Sequence, residues 1–236
     1  MIDVGLLIAL AVTVYLVSSE GAWGAATTFI SCLLGGLVAT SYFEPLAQFL
    51  AANVASSFEW QHRWDVIAFL GLFGVSVTLL RLASERIQET DLQVDGKAYD
   101  LVRWLGGIGS GVVVAMILSV ALHLAPLGRN YAGFVPEQAR LFAIAPLDYQ
   151  WLGYAHRMSA GPLAADDGYG NPVVFDGNAY KITSQGPVQT YPDFPIRYAQ
   201  RRANYASGAA VVTTPGGPSG LPRPGQKRQQ TIRKSF

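Results

Sequence analysis

Residues 105–125 read LGGIGSGVVVAMILSVALHLA, an uninterrupted apolar stretch with no Asp, Glu, Lys or Arg. A helix that crosses the hydrocarbon core of a bilayer needs about 20 mostly apolar residues. Backbone groups in hydrocarbon must be hydrogen-bonded within the protein, so the stretch is expected to be helical in spite of its glycines. It therefore predicts a transmembrane helix.

Three further apolar stretches precede it along the chain. They read VGLLIALAVTVYLVSS at 4–19, GAWGAATTFISCLLGGLVATSYF at 21–43 and VIAFLGLFGVSVTLL at 66–80. The first and third need flanking residues to reach the length of a span. The sequence thus predicts an all-α membrane protein with four transmembrane helices, at about 3–19, 21–43, 64–82 and 104–125, followed by a largely irregular polar tail with a short amphipathic helix.

The composition of the 236-residue chain agrees with a membrane domain joined to a polar tail. Hydrophobic residues make up 50% and charged residues only 14%, whereas soluble proteins carry about 25% charged residues. Residues 1–125 hold five Lys/Arg and ten Asp/Glu, and residues 126–236 hold twelve and six. A signal peptide is disfavoured because the N-terminus lacks positive charge. A soluble bundle is disfavoured because no amphipathic helices would cover the apolar ones.

Small residues recur within the predicted spans at a spacing of four, as in Gly35-x3-Ala39 and Gly107-x3-Gly111. Small residues on one helix face let two helix backbones approach closely in a membrane. General helix packing is the favoured interpretation, with a specific dimerisation motif as the alternative.

The predicted connections differ in length and charge. Glu20 alone separates the first two spans and predicts a tight hairpin, whereas 44–63 and 81–103 form longer polar loops. The 81–103 loop holds four Lys/Arg and the 44–63 loop holds one. Positively charged short loops favour the cytoplasm. The N-terminus and the tail are therefore predicted to be extracytoplasmic.

The tail divides into a partly structured segment at 126–206 and a disordered basic terminus at 207–236. Residues 148–158 predict an amphipathic helix that Asp148 caps, with Trp151, Leu152, Ala155 and Met158 on one face. Its apolar face could lie on the membrane surface, pack on a partner or pack within a small tail fold. Residues 172–175 and 179–182 predict a pair of short strands around Asp176-Gly177-Asn178.

Recognisable catalytic and metal-binding motifs are missing from the sequence. It has no nucleophile-elbow, zinc-protease or phosphate-loop pattern, and its three histidines have no clustered ligands at metal spacing. Charged residues are also missing from the middle of every predicted span, which disfavours an ion-coupled transporter. His123 is interpreted as a neutral, locally bonded histidine. We expect no enzyme activity, no cofactor, no metal and no specific nucleic-acid partner.

Residues 1–125 resemble the colicin V production (CvpA-type) family of membrane proteins. The similarity lies in the four-span layout, in Asp3 before the first span, in the Glu20–Gly24 turn and in the Asp100–Gly106 segment before the last span. Trp23 stands where that family usually has Arg, and Ser110 interrupts its later glycine pattern. The tail at 126–236 lies outside the resemblance.

The resemblance implies an inner-membrane protein that assists toxin production or secretion and envelope maintenance by assembling with other membrane or envelope proteins, or with copies of itself. It implies packing roles for Gly21, Gly24, Gly106 and Gly111, to which the small-residue spacing adds Gly107, and interfacial roles for Asp3, Asp100 and Arg103. One alternative is a membrane anchor or scaffold whose extracytoplasmic tail binds an envelope partner. A second is a channel or transport subunit.

Overall fold

The computed structural model describes residues 2–55, 57–87, 96–127, 146–166, 172–175, 180–181, 190–191 and 193–207. Four long helices come first: α1 (Ile2–Ser19), α2 (Gly21–Asn53), α3 (Phe58–Ile87) and α4 (Gly96–Leu124). All four are long and apolar enough to cross a membrane. The prediction of an all-α protein with four such helices is confirmed.

The tail adds two shorter helices, α5 (Leu147–Ala160) and α6 (Asp193–Ala206), and four strands of two residues each. Strands β1 (Ala165–Asp166) and β2 (Pro172–Val173) pair antiparallel, as do β3 (Tyr180–Lys181) and β4 (Thr190–Tyr191). The predicted pairing of 172–175 with 179–182 is therefore wrong, because each segment finds a different partner. The basic terminus was predicted at 207–236, and all of it after Ser207 lies outside the described residues.

Helices α2 and α4 form the centre of the bundle, and α1 packs mainly on α4 and also contacts α2. Gly106 lies against Ala25 and Ile117 lies near Gly36, so α2 and α4 run in the same direction. Helix α1 runs opposite to α4, because Gly107 lies against Ser18, which is near the end of α1.

Helix α3 packs against α2 on the side away from α1. A Cβ added at Gly35 would lie 2.8 Å from Val77 Cγ2, and the rings of Phe43 and Phe69 meet edge to face at 5.5 Å. These pairs show that α3 runs antiparallel to α2. The N-terminus of α1, the end of α2, the start of α3 and the end of α4 therefore share one end of the bundle, the tail end; the other is the turn end.

The long helices extend beyond the apolar stretches that mark them. Helix α2 continues through Glu44 and Pro45 to Asn53, and α3 begins at Phe58, so the polar loop predicted at 44–63 is almost entirely helical. The reason is tertiary packing: Phe43 and Ala47 are buried on either side of the proline. At the turn end Ser19 and Gly21 bracket a one-residue connection, which confirms the tight hairpin.

The outer faces of α1 and α3 stay apolar and exposed. Their exposed large side chains include Leu7, Ile8 and Val12 on α1, and Val75 and Leu79 on α3. Apolar surface of this kind is stable in contact with lipid but not with water.

Candidate functional site

The tail helices are held against the tail end of the bundle by buried polar contacts. His123, in the last turn of α4, places Nε2 2.7 Å from Asp148 Oδ2 in the first turn of α5. The exposed fractions of the two side chains are 0% and 1%. His123 was expected to be bonded locally; that is wrong, because this partner lies in the tail. Asp148 likewise makes no helix-capping hydrogen bond, and helix α5 begins after Pro146 instead.

Trp151 anchors α5 in a slot between α2 and α4. Its indole reaches Gly36, where an added Cβ would lie 2.5 Å from the ring, and it also lies near Ile117. The indole Nε1–H donates to Thr40 Oγ1 at 2.9 Å, and that hydroxyl donates to Gly36 O at 2.7 Å. A buried Trp N–H is stable only with a partner, so Gly36 supplies the space and Thr40 the acceptor.

Helix α6 contributes the charges of the interface. Arg197 Nη2 lies 2.8 Å from Glu44 Oε1, and Arg201 Nη2 lies 3.0 Å from Asp65 Oδ2. Glu44 and Asp65 lie on the tail-end parts of α2 and α3, so α6 joins both helices. The side chain of Asp65 is only 5% exposed, and a carboxylate so buried requires a charged or hydrogen-bonded partner.

Arg202 binds the end of α4 through a neutral acceptor. Its Nη1 donates to Leu122 O at 3.1 Å. The last carbonyls of a helix have no partner within the helix, and cations near them are favoured by the helix dipole. Arg202 thus fixes α6 to α4, while Arg197 and Arg201 fix it to α2 and α3.

Aromatic side chains fill the space beneath these charges. Phe194 and Tyr198 of α6 pack together at 4.6 Å between ring centroids, and Phe194 also packs on Phe43 and on the ring of His123. His123 therefore contacts both tail helices. The tail interface consists of the residues on its tail side, Asp148, Trp151, Phe194, Arg197, Tyr198, Arg201 and Arg202, and of those on its bundle side, Gly36, Thr40, Phe43, Glu44, Asp65, Leu122 and His123.

The phenol of Tyr198 is buried among charged side chains at this interface. Its hydroxyl donates to Glu44 Oε1 at 3.3 Å. Burial, together with the nearby carboxylates of Asp65 and Glu44, raises the pKa of the Tyr198 phenol well above its usual range. The phenol therefore stays neutral and serves as a hydrogen-bond donor.

A small cleft opens beside the interface, between α3, the end of α4 and α6. Its polar lining consists of His62, Asp65, Tyr198, Arg201, Arg202 and Tyr205. The His62 and Tyr205 rings lie 4.8 Å apart. Among the described residues no three His, Cys, Asp or Glu side chains are grouped to hold a metal.

The glycines predicted for packing lie mainly at the turn-end half of the bundle. A Cβ at Gly106 would lie 2.6 Å from the Ala25 carbonyl carbon of α2. Gly107 touches Ser18 of α1, and a Cβ at Gly111 would lie 2.7 Å from Val14 Cγ2 and 3.0 Å from Leu10 O, also in α1. Gly106, Gly107 and Gly111, with the α1 and α2 residues they touch, form a glycine seam.

Gly21 and Gly24 lie at the hairpin rather than in that seam. Gly21 has a φ of +88°, which only glycine adopts readily, and a Cβ there would lie 2.7 Å from the Tyr99 hydroxyl. A Cβ at Gly24 would meet Glu20, the linker residue, at 2.8 Å. Gly21 is thus a turn and close-approach position, and Gly24 makes room for Glu20.

The charged residues predicted at the interfaces occupy both ends. Asp3 is half-buried in the first turn of α1, at the tail end. Asp100 and Arg103 lie one turn apart near the start of α4, and Arg103 Nη1 is 4.0 Å from Asp100 Oδ1. The Arg103 guanidinium lies over the Trp104 ring. The structure does not bring Asp3 together with the other two.

The turn end has a charge pair that the sequence did not indicate. Arg81 Nη1 of α3 lies 2.6 Å from Glu20 Oε1 of the hairpin, and Arg81 Nε lies 3.1 Å from Glu85. Thr28 of α2 also donates to Glu20 Oε2 at 3.3 Å. Glu20 therefore ties the hairpin to α2 and α3.

Helix α6 and its arginines were missed by the sequence analysis. A signal was present: Asp193 and Pro195 are typical of a helix start, and Phe194, Tyr198 and Arg202 recur every four residues. No family model, curated protein or solved structure matches the chain. The functional proposal therefore rests on the sequence resemblance described above and on the geometry of the tail interface.

Proposed function

We propose that this chain is a non-enzymatic, multi-pass protein of the bacterial inner membrane that assists toxin production or secretion and envelope maintenance by assembling with partners, as in the colicin V production family that it resembles. The observation that carries the scaffold part of this proposal is the tail interface. Buried contacts at Trp151, His123 and Arg201 join tail and spans into one body. A body with a fixed shape can present a constant surface to partners.

The test is complementation. A colicin V-secreting strain that lacks its own protein of this type would express the full chain, and toxin release would be measured by growth inhibition of a sensitive strain. The chain should restore release. The double variant Gly106→Leu, Gly111→Leu should not, because both side chains would collide with neighbouring helices.

The matched control is Gly71→Leu on α3, where an added Cβ meets no atom of the described residues within 4 Å. It should restore release as well as the unmodified chain does. If the unmodified chain reaches the membrane at normal levels and restores nothing, the colicin V assignment is wrong. If the double variant restores release fully, the packing role of the seam is wrong.

A second candidate function is a membrane scaffold whose tail binds an envelope partner directly. It is favoured by the outer faces of α5 and α6, where His156, Arg157 and Gln200 are exposed while the opposite faces are buried. The isolated tail is a poor probe, because Trp151 and Phe194 would lose the bundle that covers them. The full chain with Arg157→Glu and Gln200→Glu should keep its membrane level yet lose cross-linking to its partner; unchanged cross-linking would contradict this function.

We further propose that the N-terminus and the tail are extracytoplasmic. The basic 81–103 loop supports this orientation. Alkaline phosphatase and fluorescent-protein fusions after Ala125 and after Phe236 test it. Phosphatase activity at both positions is expected, whereas fluorescence at both would place the tail in the cytoplasm.

A further inference from the structure

The exposed Trp and Tyr residues of helix α2 mark two levels along it. Trp23 and Tyr42 are 45% and 61% exposed. The nineteen residue steps from one to the other (42 − 23) correspond to about 28 Å of helix at about 1.5 Å per residue. The hydrocarbon core of a bilayer is about 30 Å thick, and Trp and Tyr concentrate at its two boundaries. Tyr42 therefore lies at the lipid headgroup level of the tail end.

The end of α4 reaches the same level. Gly106 lies beside Ala25, and α4 runs parallel to α2, so His123 is close to the depth of Tyr42. The cleft described above starts at the end of α4 and continues onto α3 and α6. It therefore opens where the phosphates of membrane lipids are concentrated.

The cleft's lining has the chemistry of a phosphate site. Arg201 and Arg202 both line it, and a guanidinium offers planar paired donors that match phosphate oxygens. The His62 imidazole and the Tyr205 phenol add further groups that can donate. Asp65, the one carboxylate among the described residues of the lining, is paired with Arg201, whose Nη2 lies 3.0 Å from Asp65 Oδ2.

The size of the cleft limits what can enter it. It has room for about one water-sized group, which suits a single phosphate oxygen rather than a whole small molecule. Leu124, Ala125 and Pro126 form an apolar wall next to the polar groups. Such a wall fits a ligand whose phosphate is attached to an apolar body.

We propose that this cleft binds the headgroup phosphate of an anionic phospholipid, with a phosphate oxygen held by Arg201 and Arg202. The site depends on the chain's crossing of the bilayer and not on the proposed role in toxin production. The bound lipid would contact α3, α4 and α6 together at the surface of the protein. The tail interface joins the same helices through buried contacts.

The test uses the purified full-length protein in a neutral detergent, with dioctanoyl phosphatidylglycerol as the probe. Binding is measured by native mass spectrometry and by the shift in Tm. Dioctanoyl phosphatidylcholine and inorganic phosphate at equal concentration are the comparisons. Phosphatidylglycerol should bind most tightly and should raise Tm; a loss of one charged hydrogen-bond donor in Arg201→Gln should weaken its binding about tenfold.

Two further variants keep the test decisive if Arg201→Gln does not fold. Tyr205→Phe removes the hydroxyl of a residue that lines the cleft and should weaken phosphatidylglycerol binding, whereas Arg157→Gln, at an exposed arginine of α5, should not. Equal binding by the unmodified protein, Tyr205→Phe and every Arg201 variant that folds would overturn the proposal. An equal effect of inorganic phosphate would show a simple anion site, and an equal effect of phosphatidylcholine would show no preference for anionic lipid; both outcomes contradict it.

Discussion

The glycine seam and the tail interface join helices by opposite means. In the seam, Gly106 and Gly111 remove side chains so that helix backbones come into contact. At the tail interface, large side chains do the joining, with Trp151 in a slot and Arg201 on a buried carboxylate. The seam lies within the apolar spans, whereas the arginine pairs lie toward the end of the bundle.

The difference follows from what surrounds each region. Lipid chains are as apolar as the helix surfaces, so helices in hydrocarbon gain little from burying leucine and gain more from close backbone packing. Near the headgroups, water and charge are available, and aromatic and ionic groups can be both buried and paired. The comparison predicts that the two regions fail differently: the seam by added atoms, and the tail interface by removed ones.

The largest effect is expected at the tail interface for Trp151→Ala. Removing the indole leaves a cavity against Gly36 and Ile117 and should reduce the free energy of unfolding by about 4 kcal/mol. Unfolding in mixed detergent–SDS micelles would measure it. The control is Leu163→Ala, whose side chain is 57% exposed. Equal small losses in both variants would mean that Trp151 does not anchor α5.

The next largest loss of stability is expected in the glycine seam, where the substitution adds atoms instead of removing them. Gly106→Ala adds one methyl group within 2.9 Å of three Ala25 atoms, two of them backbone, and should cost about 2 kcal/mol. Gly71→Ala is the matched control, because its methyl group meets nothing and alanine favours helix. It should leave the free energy of unfolding unchanged or slightly higher. If Gly71→Ala lowered the free energy of unfolding as much as Gly106→Ala, the seam would be no more sensitive to an added methyl group than an exposed helix face.

A smaller effect is expected for the hydrogen bond within the tail interface. Thr40→Val preserves the shape of the slot but removes the acceptor of the Trp151 N–H, and it should cost about 1 kcal/mol. Thr27→Val on the same helix removes only a half-buried hydroxyl that is bonded to its own helix. Thr27→Val should lower the free energy of unfolding by less than half as much as Thr40→Val. The same micelle unfolding measurement separates the two, and equal losses would show that the indole finds another partner.

The two regions also differ in how far the sequence predicts them. The four apolar stretches and the small-residue spacing were readable, because span length and helix periodicity are local properties. The helical part of α2 after Pro45 was not, since it depends on Phe43 and Ala47 being covered by other helices. Trp151 was placed correctly on one face of a helix. That its face meets Gly36, 115 residues earlier (151 − 36), is a tertiary fact that no local pattern contains.

Charge pairing was the least predictable feature. Glu44 and Asp65 looked like loop residues or span ends, and their partners Arg197 and Arg201 lie in a helix that the sequence analysis missed. His123 shows the same limitation, because its partner Asp148 is separated from it by the segment that connects spans and tail. Ion pairs between distant segments follow from the fold and do not specify it.

The smallest effect at neutral pH is expected for Tyr198→Phe. The hydrogen bond that it removes is long, 3.3 Å from the Tyr198 hydroxyl to Glu44 Oε1, and should contribute about 0.5 kcal/mol.

The pH dependence of the free energy of unfolding is more informative for this variant. The pKa of Tyr198 is raised in the folded protein, so folding favours the protonated phenol. The stability that this preference contributes is fully present below the unfolded pKa of about 10. It is lost as the pH rises from there toward the folded pKa. Unfolding measured from pH 8 to 11 should therefore show a steeper alkaline loss in the unmodified protein than in Tyr198→Phe; parallel curves would mean that the phenol is not buried among the carboxylates of the tail interface.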